Sequence, residues 1–199
     1  WFFMFNFFKK KINTTTRENF EEIAQNIYKN ISKIHTNTKD IIIEKVNNIS
    51  PEDKFGSQTF LAMLLYEAIY GYQITCLIGF SSQEGLISIM DNLELKEKVL
   101  NEISNNSGYT IDSIEEYNQS FLECAGNIEC LNDKFSDLIF EICSIDKNSK
   151  NSRNLDKFFK KISTIVAIET QKNTALAFGE KNLSKDLNKV LKKFLNDNL

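Results

Sequence analysis

Proline occurs once in the 199 residues, as Pro51, and glycine only seven times, so the residues that punctuate sheets and turns are missing over long stretches. A chain this poor in turn formers is expected to fold as α-helices. Its 42% hydrophobic and 26% charged residues are those of an ordinary globular protein rather than a disordered one. The length suffices to bury a core without metal or disulfide staples. The expected architecture is one all-α domain over residues 1–199, a bundle of about eight helices.

Apolar spacing places these helices. Thr15 and Glu18 make a capping-box pattern ahead of Phe20, Ile23, Ile27, Ile31 and Ile34, which recur at steps of three and four. Thr38 is expected to cap a second, shorter helix with Ile42, Val46 and Ile49, leaving His35 at the end of the first, where an imidazolium suits the helix dipole. Ser50-Pro51-Glu52-Asp53 supplies an N-cap, a first-turn proline and first-turn acids. The helix that follows, over about residues 51–78, is apolar on nearly every side from Phe60 onward and belongs at the centre of the bundle. Reading Phe60–Ile78 as a membrane span would bury Glu67 and Gln73 near mid-depth. An ionisable group there costs about 2.5–3.5 kcal/mol, so no transmembrane span is expected.

Further along, Ser81 and Glu84 repeat the capping box before Leu86, Ile87, Ile89 and Met90, and Asn92 is expected to open a helix with Leu95, Val99 and Ile103. Asn105 to Gly108 breaks the chain. Thr110 then opens a helix carrying Ile114, Tyr117, Phe121 and Cys124, and another carries Leu131, Phe135, Leu138 and Ile142. Residues 146–154 are polar throughout and read as an exposed, mobile loop. The stripe from Leu155 through Phe158, Phe159, Ile162, Ile165 and Val166 runs to Gly179, which fits a C′ residue, and Leu183, Leu187, Val190, Leu191 and Phe194 mark a last helix.

The four cysteines, at 76, 124, 130 and 143, contain no C-x-x-C pair, and His35 is the sole histidine, so neither a metal site nor any cofactor is expected. Cys124 and Cys130 flank a tight break at Ala125-Gly126-Asn127 that would let them bridge in an oxidising compartment. No export signal is evident, so the cytoplasm and reduced thiols are the favoured reading. The first residues, 1–11, are aromatic and then basic: Phe5, Phe7 and Phe8 precede Lys9, Lys10 and Lys11, with Met4 a candidate start. Such a segment can pack on the bundle or lie on an anionic membrane as a peripheral anchor.

Charge is segregated along the chain. Residues 91–146 carry thirteen acids against three lysines, net −10, whereas residues 147–199 carry twelve bases against five acids, net +7. Both sets can be solvated helix faces, or the acidic one can be a surface for a basic protein partner, with Glu94, Glu97, Glu115 and Glu116 as its contact residues. A lysine stripe at 181, 185, 189, 192 and 193 has the spacing of a phosphate-contacting face. Almost no arginine, an acidic pI of about 5.4 and no base-reading motif argue against nucleic acid.

Glu67 and Glu169 each stand as the only acid in an apolar stretch of helix, an arrangement by which bundles build acid–base pairs. Residues three places on are Tyr70 and Lys172 rather than histidine, which argues against a di-metal centre. Glu67, Tyr70, Glu169 and Asn173 are therefore the candidate ligand-binding set, and the alternative is that Tyr66, Tyr70, Lys172 or Asn173 satisfies a half-buried carboxylate. No nucleophile elbow, phosphate loop or dinucleotide glycine set is present, and no catalytic residue is assigned. The function expected is non-catalytic protein binding, of the kind a bacterial immunity protein or antitoxin performs. A helical bundle that binds or turns over a small ligand stands second, and a peripheral membrane protein third.

Overall fold

A computed structural model describes residues 20–47, 69, 71–81, 83–93, 123, 124, 127–142 and 144–198. These residues form six helices and no strand: α1 (Phe20–Asn47), α2 (71–80), α3 (Gln83–Leu93), α4 (Ile128–Ile142), α5 (Ser152–Ala177) and α6 (Lys181–Asn198). The chain is all-α, as its want of turn formers requires. The expected helices carrying Leu95 to Ile103 and Ile114 to Phe121 lie outside the described residues. So do the segment 1–11, the break at 105–108 and most of the helix expected over 51–78.

Where two helices are expected between Thr15 and Ile49, α1 runs unbroken for 28 residues. His35 is not at a helix end, and Thr38 is not an N-cap; both are buried in mid-helix. Thr36, Asn37 and Thr38 cost at most about 0.7 kcal/mol each in helix propensity. Burying an Ile is worth about 1.5–3 kcal/mol, and the buried stripe Ile27, Ile31, Ile34, Thr38, Ile42 keeps its three-and-four spacing across the supposed break. Packing therefore overrides the local stop signal.

At the next junction Ser81 turns backward. Its N–H and hydroxyl both donate to the Leu77 carbonyl, at 2.9 and 2.6 Å, closing α2 at Phe80. Asn92 lies inside α3 rather than opening a new helix.

Both ends of α4 are closed by local chemistry. The Asn127 side-chain oxygen accepts from the N–H groups of Glu129 and Cys130, each at 3.1 Å, which makes Asn127 the N-cap. At the C-terminus the N–H of Ile145 reaches the Phe140 carbonyl and that of Ser144 the Glu141 carbonyl, a Schellman pair with Ser144 left-handed at φ 50. The polar stretch that follows ends as loop at Asn151; Ser152, Arg153 and Asn154 form the first turn of α5. That helix ends in a second Schellman pair, Glu180 to Ala175 and Gly179 to Leu176, with Gly179 at φ 78 as its composition foretold.

The centre of the described structure is α5, which packs against α1, α4 and α6. Ile162, Ser163 and Thr164 are consecutive and all buried, so the helix has no fully solvated side there. Its hydroxyls make this possible, because Thr164 donates back to the Lys160 carbonyl at 3.0 Å and Thr174 to the Thr170 carbonyl at 2.7 Å. Satisfied in this way, a threonine packs as a compact apolar group. Phe135 and Phe159 are fully buried in the same core, and the Phe140 and Phe159 rings meet edge to face with centroids 5.6 Å apart. Ile69, Tyr72, Gln73, Cys76, Leu77 and Phe80 are buried too, while Ile78, where the central helix was expected to end, is exposed. No helix among the described residues is long and apolar enough to cross a membrane.

Candidate functional site

Two arrangements of polar side chains stand out. The first is an interior seam between α2 and α5. Tyr72 and Ser163 share a hydrogen bond, and the Gln73 side-chain amide donates to the Thr174 hydroxyl at 2.9 Å. The buried Cys76 thiol neighbours Thr174 in the same seam. Burial holds the acidic groups of this seam in their neutral, protonated forms. It pushes the Cys76 thiol up from 9.0 to about 12, the Thr174 hydroxyl opposing, and raises the Tyr72 phenol above its ordinary value against a smaller pull from Ser163. Both groups stay protonated near pH 7, so neither is prepared as a base or nucleophile. The seam fixes how α2 sits along α5. Hydropathy cannot find it, since each member is an unremarkable Ser, Thr, Gln, Tyr or Cys until its partner is known.

Glu169 and Asn173 stand one turn apart on α5, both half-buried. The Glu169 carboxylate pairs with Lys172 at 3.0 Å, with 30% of the acid and 19% of the lysine side chain exposed. A lysine thus satisfies the carboxylate, which was the alternative to a ligand site. Glu67 and Tyr70, the other half of that candidate set, lie outside the described residues. Among the described residues no group of three or more His, Cys, Asp or Glu is placed to hold a metal ion.

The second arrangement is on the surface. Glu129, Asp133, Asp137 and Glu141 follow one another at steps of four along α4 and are all exposed. Helical geometry aligns them in one row about 18 Å long. Two lysines from other elements meet the middle of the row: Lys160 lies 2.7 Å from Asp133 and 3.0 Å from Asp156, and Lys147 lies 2.8 Å from Asp137. The hydrogen bond with Asp133 holds the Lys160 ammonium above the ordinary lysine pKa, Asp156 adding to it and partial desolvation opposing. At its C-terminal end the row opens into a shallow groove of about 600 Å³, where Asp137, Glu141 and Asp146 stand with Lys134, Lys147 and the Phe140 ring. The acids singled out in the same segment, Glu94, Glu97, Glu115 and Glu116, lie outside the described residues. So do Phe5, Phe7, Phe8, Lys9, Lys10 and Lys11.

The lysine stripe of α6 is exposed at all five positions, 181, 185, 189, 192 and 193, while Leu187 and Leu191 on the opposite side are buried. Of these, Lys189 pairs with an acid of its own helix, Asp186 at 2.8 Å.

The remaining surprise concerns the thiols. The reduced state favoured from sequence is corrected for one pair: Cys124 and Cys130 are joined by a disulfide, their Cα atoms 5.4 Å apart. The Asn127 N–H donates to the Cys124 carbonyl at 3.0 Å, which holds Cys124 beside the N-cap of α4. No protein-family model, curated protein or solved structure matches the chain.

Proposed function

We propose that this chain is a non-catalytic protein-binding domain that offers an acidic helical surface to a basic partner, in the manner of an immunity- or antitoxin-like inhibitor. The observation that carries the reading is the row Glu129, Asp133, Asp137, Glu141 with the groove at its end. The row contains three like-charged i, i+4 pairs. Each such pair costs an isolated helix about 0.2–0.5 kcal/mol. Lys147 and Lys160 offset part of that cost without covering the row, since Asp133 and Asp137 keep 64% and 60% of their side chains exposed. A lysine or arginine entering the groove would meet Glu141 and Asp146, and would compete with Lys147 for Asp137. Tyr72 and Cys76, the described buried groups whose acidity is most altered, are moved away from reactivity at neutral pH, which supports binding over catalysis.

The test is affinity capture from native lysate on the wild-type chain and on a variant carrying Asp137→Lys and Glu141→Lys, with both proteins and small molecules identified by mass spectrometry. A protein held by the wild type in low salt, released by salt and absent from the variant is the expected result. A small molecule recovered equally from both would favour the ligand-binding bundle instead.

A further inference from the structure

We propose that Cys124 and Cys130 form a thiol–disulfide exchange site that fastens or frees the first turn of α4, its reaction partner being a low-molecular-weight thiol such as glutathione. The bridge has an unequal pair of ends. Cys124 is 7% exposed and belongs to the hydrophobic core, whereas Cys130 is only partly buried and stands at the third residue of α4, its N–H already bonded to the Asn127 cap. A thiol from solvent therefore reaches the Cys130 sulfur first. Its thiolate attacks Cys130 Sγ, the bond to Cys124 breaks, and Cys124 leaves as a thiolate that takes a proton from water. A second thiolate attacks the sulfur of the mixed disulfide that came from the first. Glutathione disulfide is released, and Cys130 is left as a thiolate at a helix N-terminus, where the dipole favours negative charge. Two external thiols are oxidised to one disulfide while the protein disulfide is reduced to two thiols. Run in reverse, glutathione disulfide closes the bridge.

The bridge encloses the cap. Asn127, Ile128 and Glu129 all lie within the ring closed by Cys124 and Cys130, so opening it leaves the start of α4 held by the Asn127 hydrogen bonds and by the packing of Ile128, Cys130 and Leu131. The local effect is independent of what the acidic row binds, although Glu129, the first acid of that row, is inside the ring.

The full chain is equilibrated in glutathione buffers of graded ratio, quenched by alkylation and read peptide by peptide for Cys124 and Cys130. Amide exchange is followed in parallel over residues 128–131. The two cysteines are expected to go from bridged to alkylated in one two-electron transition. Amides of Glu129, Cys130 and Leu131 should exchange at least tenfold faster in the reduced state, with those around Phe159 unchanged. In Cys124→Ser, glutathione disulfide should modify Cys130 at least tenfold faster than it modifies Cys124 in Cys130→Ser. Both cysteines alkylated without reductant, equal exchange in the two redox states, or faster modification of Cys124 would each overturn the proposal. The wild-type comparison needs no substitution, so a variant that folds poorly does not decide the matter.

Discussion

Ser144 holds a left-handed backbone, φ 50, at the C-terminus of α4, where glycine is the usual occupant. A non-glycine residue there costs about 1–2 kcal/mol, and glycine loses about 0.5–1 more in chain entropy on folding. Ser144→Gly should therefore stabilise the protein by about 0.5–1 kcal/mol, read as a higher urea midpoint at unchanged slope. Gly179 occupies the equivalent position on α5, and its identity made that helix end legible in the sequence, whereas a serine in the same role gives no signal. Cys76 provides a pH test. Burial raises its thiol pKa from 9.0 to about 12, so above pH 9.0 the unfolded chain loses a proton that the folded chain keeps. Stability is then complete below that pH and falls above it, by about 1.4 kcal/mol per pH unit for this one group. Cys76→Ser should flatten the decline between about pH 9 and 11 relative to wild type, and chemical denaturation at several pH values measures the difference.

At the scale of elements, α5 holds the described structure together, a role its buried polar residues hide in the sequence. The apolar run before Ile78 is obvious in sequence, but a helix that buries Ser163, Thr164, Thr170 and Thr174 reads as half-polar. For Ser163, Thr164 and Thr174, return bonds to carbonyls one turn back and partners on α2 remove that polarity once the chain is folded, whereas the Thr170 hydroxyl is buried without a partner among the described residues. The same dependence on packing hid the continuity of α1, where Thr-Asn-Thr looks like a stop. Two substitutions test this picture. Phe159→Ala, at a fully buried ring, should cost about 3–5 kcal/mol. Thr174→Val strands the Gln73 amide and should cost about 1–3 kcal/mol, much of it recovered in the double variant with Gln73→Leu. Additive losses in that pair would show that Gln73 and Thr174 do not act together.

For the molecule as a whole, the separation of charge along the chain is the feature that sequence conveyed best. The acidic segment contains the row on α4, and the basic segment contains the outward lysines of α6. What sequence left open was which acids share a face and which are neutralised, because Lys147 and Lys160 reach Asp137 and Asp133 from other elements. Glu169 was legible as an isolated acid, and its pairing with Lys172 was among the readings open for it. The measurement that bears most directly on protein binding through α4 is the association rate of a captured partner with wild type and with Asp137→Lys/Glu141→Lys, followed by stopped flow over a range of salt, with circular dichroism establishing that the variant is folded. The wild type should associate at least tenfold faster in low salt, with a rate that falls as salt rises, and the variant should lose both properties; equal rates and equal salt dependence would contradict the account.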